Sequence, residues 1–199
     1  MTTQYNWQSD ADYRCKAGQI TLQCIPEKRY LMVDGQGDPN HNPGYQLALQ
    51  SLYAVSYRCK FMHRHLTYRV MPLEGLWWAK DMQAFVRAER QHWRWRMMIQ
   101  QPDWVDSELL QCALEQVKAR QEVAPDLRIE TYQEAWVAQA LHRGPYTDEG
   151  PLIQAIHEKI AEHGQLSGLH HEIYLNDPRR CQPQNLRTII RQPFTQEAI

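Results

Sequence analysis

The chain has no long apolar run, no excess of charge of either sign, no paired cysteines and only three phenylalanines. No stretch approaches the about 20 apolar residues that cross a bilayer. The start, Met1-Thr2-Thr3-Gln4-Tyr5-Asn6-Trp7, has neither the basic nor the apolar region of a signal peptide. These absences predict a soluble cytoplasmic protein with no membrane partner. Lys and Arg total 22 against 23 Asp and Glu, for a formal charge of -1, so nothing in bulk favours a phosphate backbone and nucleic acid is not an expected partner. The cysteines Cys15, Cys24, Cys59, Cys112 and Cys181 are widely spaced and free of any C-x-x-C pair, which argues against a disulfide framework or a zinc site.

Other absences narrow the chemistry. His63 and His65 flank Arg64, and His170 precedes His171, but no third ligand recurs at metal-like spacing, so no metal is expected. Gly35-x-Gly37 lacks the third glycine and the strand-to-helix setting of a dinucleotide fingerprint, and no cofactor is expected. There is no Gly-x-Ser-x-Gly, and Cys181 in Arg180-Cys181-Gln182-Pro183 has no catalytic context, so covalent acyl transfer has little support. The Arg179-Arg180 pair reads as a loop anchor rather than a phosphate site.

What is present is aromatic and repetitive. Seven Trp and ten Tyr favour rings that carry a polar handle, and a chain of 199 residues can bury roughly 70% of its unfolded surface. In the first half, Arg29 to Val33 reads as a strand, Asp34 to Gly44 as a loop, and a helix follows with Leu49, Leu52, Tyr53 and Ser56 at helical spacing; extended segments come after it around Tyr68 to Trp78 and Trp93 to Gln101. In the second half Glu134 to Leu141 is the strand, His142 to Gly150 the loop, Pro151 to His163 a helix burying Leu152, Ile156 and Ile160, and His170 to Leu175 and Leu186 to Arg191 the closing strands. Met97-Met98-Ile99-Gln100-Gln101-Pro102 and Thr188-Ile189-Ile190-Arg191-Gln192-Pro193 end the two halves alike.

This predicts an α+β protein of two pseudo-twofold-related β-α-β-β modules, residues 29–102 and 128–194, with antiparallel sheets around a central ligand cleft. A helical connection, 103–127, joins them; its helix runs from Ser107 to Gln121 behind an Asp106 N-cap and buries Leu109, Leu110, Ala113, Leu114 and Val117. Residues 1–28 form an appendage in this reading, with helical spacing at Trp7 and Ala11.

The chemistry concentrates in Gly168-Leu169-His170-His171-Glu172-Ile173-Tyr174-Leu175-Asn176-Asp177-Pro178-Arg179-Arg180. Strand alternation sends His170, Glu172, Tyr174 and Asn176 to one face, and His171, Ile173 and Leu175 to the other. A carboxylate on such a face is either a charge partner for ligand or a solvated residue paired with Arg179, Arg180 or Arg69. Trp93, Trp95 and Met97 share a face opposite Arg94 and Arg96, and adjacent Trp77 and Trp78 must diverge unless Gly75 bulges.

The strings Tyr68 to Trp78, Trp93 to Pro102, Gly144-Pro145-Tyr146 and His170 to Arg180 resemble the GyrI-like small-molecule-binding domain, in its stand-alone form, from about Arg29 to Phe194. The resemblance implies an aromatic cleft with a central glutamate, here Glu172, taking bulky lipophilic and often cationic aromatic compounds. Tyr174, Trp77, Trp95, Tyr146, Trp136 and Met71 are the expected ligand-binding companions, and Glu172 with Tyr174 the expected catalytic pair if the protein is an enzyme. Binding for sequestration or sensing of xenobiotics is the leading reading. The alternative is a cofactor-independent hydrolase that opens the cyclopropane of DNA-alkylating natural products, with Glu172 directing water. A third is an inhibitor that acts through a protein partner.

Overall fold

The computed structural model describes residues 4–62, 67–80 and 89–196, so His63 and His65 lie outside the described residues. The chain divides into two compact units. The first comprises Met1–Trp7, Lys28–Met71 and Trp77–Tyr132; the second comprises Gln8–Glu27, Pro72–Leu76 and Gln133–Ile199.

In the first unit a short parallel bridge joins β1 (Gln4–Tyr5) to β4 (Thr67–Tyr68). Strand β3 (Lys28–Gln36) lies between β6 (Arg94–Gln100) and β7 (Arg128–Tyr132), antiparallel to both, with Val33 opposite Met97 and Leu31 opposite Ile129. A strand paired on both edges and covered on both faces needs a continuous apolar run, and Tyr30, Leu31, Met32 and Val33 are all buried. Helix α1 (Pro43–Met62) begins after Asn42, whose side chain ties the loop down by donating to the Gln36 carbonyl and accepting from the Gly44 amide.

The buried stripe of α1 is Ala48, Ser51, Leu52, Val55, Ser56 and Cys59, so Leu49 and Tyr53 flank it rather than lead it. Two serines sit inside because they are satisfied there: Ser51 donates to Leu47 and accepts from the Ala124 amide, and Ser56 accepts from Gln101. Helix α2 (Ser107–Lys118) opens at Asp106, whose carboxylate accepts from the Leu109 amide at 2.8 Å, and buries Leu110, Ala113 and Val117.

The second unit holds β2 (Thr21–Ile25), β8 (Ala135–Arg143), β9 (Gly164–Leu166), β10 (His170–Tyr174) and β11 (Arg187–Gln196), with α3 (Gly150–Ala161). The order is β2-β8-β11-β10, with β9 on the far end of β11. Helix α3 packs Ile156 and Ile160 against Ala138, Ala140, Ile190 and Phe194. Strand β5 (Leu73–Trp78) divides between the units, Leu73–Leu76 in the second and Trp77–Trp78 in the first. The helical spacing at Trp7 and Ala11 is realised as two 3-10 turns, Trp7–Ser9 and Ala11–Tyr13, because Asp10 between them caps the second through the Asp12 amide.

Each unit pairs the last strand of a β-α-β-β module with its first, β6 with β3 and β11 with β8, and adds an outer strand beyond, β7 or β2. The fold is α+β with antiparallel pairings inside both modules, and the internal duplication is one of strand order.

Packing in the first unit depends on one missing side chain. A Cβ added at Gly35 would collide with the indole of Trp95, which lies flat over that backbone. Gly35→Ala is expected to lower the unfolding free energy by about 1–3 kcal/mol in a chemical-denaturation titration, the usual cost of overpacking a filled site.

Candidate ligand site around Glu172

Strand β10 separates two chemistries because its residues alternate. His171 and Ile173 are fully buried, while His170, Glu172 and Tyr174 are half-buried on the other face. Pairing aligns Glu172 with Ile190 on β11 and Ile190 with Ala140 on β8; that row lies under α3. Glu172 therefore shares the helix-covered side of this unit's sheet.

On that side the Glu172 carboxylate is held at both oxygens. Tyr174 donates its hydroxyl to Oε2 at 2.8 Å, and the His170 Nε2–H donates to Oε1 at 3.2 Å. The Glu172 side chain keeps 15% exposure. Arg179 and Arg180 engage Asp177 instead, as a loop anchor. The Tyr174 ring meets Tyr146 edge-on with centroids 5.8 Å apart. Tyr146 owes its place to the Gly144-Pro145 turn: Gly144 has φ 131°, its amide donates to the Leu186 carbonyl, and the His142 ring donates to the Pro145 carbonyl at 3.1 Å.

Glu149, immediately before α3, completes this face. It is 4% exposed; its carboxyl accepts from the Thr188 hydroxyl, and its Oε1 is buried with no hydrogen-bond partner. Burial and then the nearby Glu172 charge push Glu149 up to about 9, against the opposing Thr188 bond. A buried carboxyl acted on by a second negative charge ionises only at a cost, so Glu149 keeps its proton at neutral pH. Burial, then Glu172 and Glu149, also raise the Tyr146 phenol to about 12, which places that ring beside both acids. His157 on α3 is lowered by burial and by His170.

The opposite face carries a buried charge quartet. His171 lies between two carboxylates, Nδ1 2.9 Å from Glu134 Oε1 and Nε2 3.0 Å from Glu74 Oε2. Arg191 reaches the other oxygen of Glu134 at 2.8 Å, and donates to the Gln139 side chain and the Asp12 carbonyl. Tyr13 donates to Glu74 Oε1 at 2.6 Å. Burial opposes charge on His171, but Glu134 and Glu74 outweigh it and raise the imidazolium to about 9. Burial likewise opposes Glu134, yet His171 and Arg191 hold it at about 2. Two basic and two acidic side chains face one another in this quartet.

Of the residues predicted from sequence, Glu172, Tyr174 and Tyr146 come together. Trp77 and Trp95 join an aromatic cluster in the first unit, around Tyr45, at 6.2 and 5.1 Å between centroids; Trp95 is 2% and Trp77 6% exposed. Met71 is also buried. Trp136 is exposed on β8, four residues along from Ala140 in the Glu172 row, and packs on Phe194. Sequence reasoning missed Glu149, Thr188 and the whole quartet. Only the adjacency of His171 to Glu172 hinted that both faces of the strand carry polar chemistry.

A paired-acid site beside tyrosine rings, on an α+β scaffold with a duplicated module, marks the class as a small-molecule-binding domain. The sequence model of the GyrI-like small molecule binding domain matches residues 18–194, and the chain belongs to that family. Among solved structures, an uncharacterized conserved protein from Listeria innocua is 30% identical, matching 96% of this chain and all (100%) of that one at TM-score 0.85. A hydrolase from Listeria innocua is 29% identical over 96% of this chain and 100% of its own, at TM-score 0.82. The C-terminal domain of EcmrR, 11% identical over 90% of this chain and 98% of that one, shares the fold at TM-score 0.55. No curated protein matches the chain. Among the described residues no helix is long and apolar enough to cross a membrane, and no group of three His, Cys, Asp or Glu is placed to hold a metal.

The quartet sets a pH dependence of stability. A histidine raised from 6.5 to about 9 on folding contributes stability that is full below its unfolded value and is lost as pH rises through 9. The melting temperature is expected to fall between pH 7 and 9.5, with the His171 contribution losing about 3 kcal/mol of unfolding free energy, on top of the loss that Glu149, raised from 4.5 to about 9, imposes as pH rises to 9. In His171→Asn the alkaline slope is expected to lessen to the part that Glu149 sets. A wild-type profile level across this range would contradict the charged His171.

Proposed function

We propose that this GyrI-like domain is a cofactor-independent hydrolase of bulky lipophilic aromatic compounds that carry a strained electrophilic ring, in which Glu172 orients and deprotonates the attacking water. The observation that carries this reading is the fixation of Glu172. A half-buried carboxylate gripped at one oxygen by Tyr174 and at the other by His170 has a defined direction for its remaining lone pairs. A positioned general base of this kind contributes about 10²–10⁴ in rate. Tyr146 and Tyr174 supply ring faces and edges for an aromatic substrate. Similarity along the whole length of a Listeria innocua hydrolase supports the same reaction class. In this role the protein removes a cytoplasmic xenobiotic.

A second reading, capture of a lipophilic aromatic cation without turnover, is favoured by the negative charge of Glu172 beside two tyrosine rings, which attract cations at their faces. The two readings separate on one variant. With an aromatic ketone bearing a cyclopropane conjugated to its carbonyl, wild type is expected to yield a product heavier by one water, and Glu172→Gln to lose about 10²-fold or more in kcat while KM changes by less than about threefold. Wild type without water addition, together with weakened binding of a planar dye cation in Glu172→Gln, would establish capture instead.

A further inference from the structure

Beneath α3 lies a group that water activation by Glu172 leaves unused. Glu149 is 4% exposed and its Oε1 is buried without a hydrogen-bond partner. An orphaned polar atom of this kind carries a desolvation cost that a ligand atom would remove. Three elements face it: β10 with Glu172, whose own partners are Tyr174 and His170; β11 with Thr188; and the turn before α3 with the Tyr146 phenol, on which Asp177 and Cys181 also act. No cation is among the groups acting on Glu149. Among the described residues Oε1 has no hydrogen-bond partner, which leaves a hydrogen on it open to a ligand acceptor.

We propose that Glu149 is the proton donor of the site, presenting a carboxylic acid hydrogen on Oε1 to a carbonyl oxygen of the ligand. This rests on the hydrolase reading for its chemistry and narrows the substrate to one whose strained ring is conjugated to a carbonyl. The oxygen of water bonds to a ring carbon while Glu172 takes one water proton. The ring C–C bond breaks, its electron pair moves into the conjugated carbonyl, and the Glu149 proton passes to that oxygen. The product is the substrate plus one water, with a hydroxyl on the opened arm and a hydrogen on the enol oxygen. Glu172 is left protonated and Glu149 ionised. Passage of a proton from Glu172 back to Glu149 resets the pair. One neutral and one ionised carboxyl, side by side, form an acid–base pair.

Infrared difference spectroscopy reads the acid directly. At pH 7.5 the wild type is expected to show a protonated carboxyl band that survives Glu172→Gln, is absent in Glu149→Gln, and shifts when the cyclopropyl ketone binds. A spectrum with no such band, or one whose band remains in Glu149→Gln, overturns the proposal whatever the turnover. Kinetics adds a second arm. Glu149→Gln is expected to lower kcat about 10²-fold or more and to abolish the alkaline limb of the pH–rate profile near 9. Thr188→Val keeps the acid but removes a bond that favours its ionised form, and is expected to move that limb to higher pH. Retention of wild-type kcat and limb in Glu149→Gln overturns the proposal. A band that shifts with ketone, in a wild type that adds no water, removes hydrolysis and keeps Glu149 as the donor to a bound carbonyl.

Discussion

The charge quartet of Glu74, His171, Glu134 and Arg191 is the constraint on which the second unit depends. Buried ion pairs often add little net stability, but losing one partner leaves an uncompensated charge in the interior, at a cost of about 3–5 kcal/mol. That asymmetry fixes register. Slipping β10 by one residue would turn His171 toward α3 and drive Glu172 among Glu134 and Glu74, three acids against one arginine. The quartet holds Glu172 on the helix side by making every alternative register expensive. The backbone shows a related strain at Ala135, directly after Glu134, whose φ of 57° costs a residue with a side chain about 1–2 kcal/mol.

The two faces of β10 obey the same electrostatics with opposite results. Behind the strand, acidic and basic side chains alternate within 3.0 Å of one another, and His171 and Glu134 hold each other charged. In front, Glu149 is buried and acted on by the Glu172 charge, and it gives up its own charge by keeping a proton. The first arrangement is fully buried, with Glu74 Oε2 and His171 Nε2 3.0 Å apart; the second is partly open at Glu172. Ligand binding belongs with the second, since that face keeps a carboxylate partly open to solvent while the first is sealed.

Much of this was legible in the chain. The alternation of His170-His171-Glu172-Ile173-Tyr174 gave the correct division of faces, and Asp106 before Ser107 gave the start of α2, because strand parity and side-chain capping are local rules. The shared endings of the two halves anticipated the repeated strand order. Glu149 was invisible because an acid just before a helix ordinarily faces water, and the groups that act on it, Glu172 on β10 and Thr188 on β11, are far away in sequence. The quartet was hidden for the same reason: Glu74, Glu134, His171 and Arg191 look like unrelated surface charges until the sheet aligns them. On α1 the periodicity was right and the phase was not, because Ser51 and Ser56 found interior partners that hydropathy cannot show.

A crystal structure of Glu172→Gln soaked with the cyclopropyl ketone tests the central claim most directly. Expected is a ligand whose aromatic rings lie against Tyr146 and Tyr174 and whose carbonyl oxygen sits about 2.5–3.0 Å from Glu149 Oε1. A ligand bound away from β10, or with its carbonyl turned from Glu149, would contradict the account.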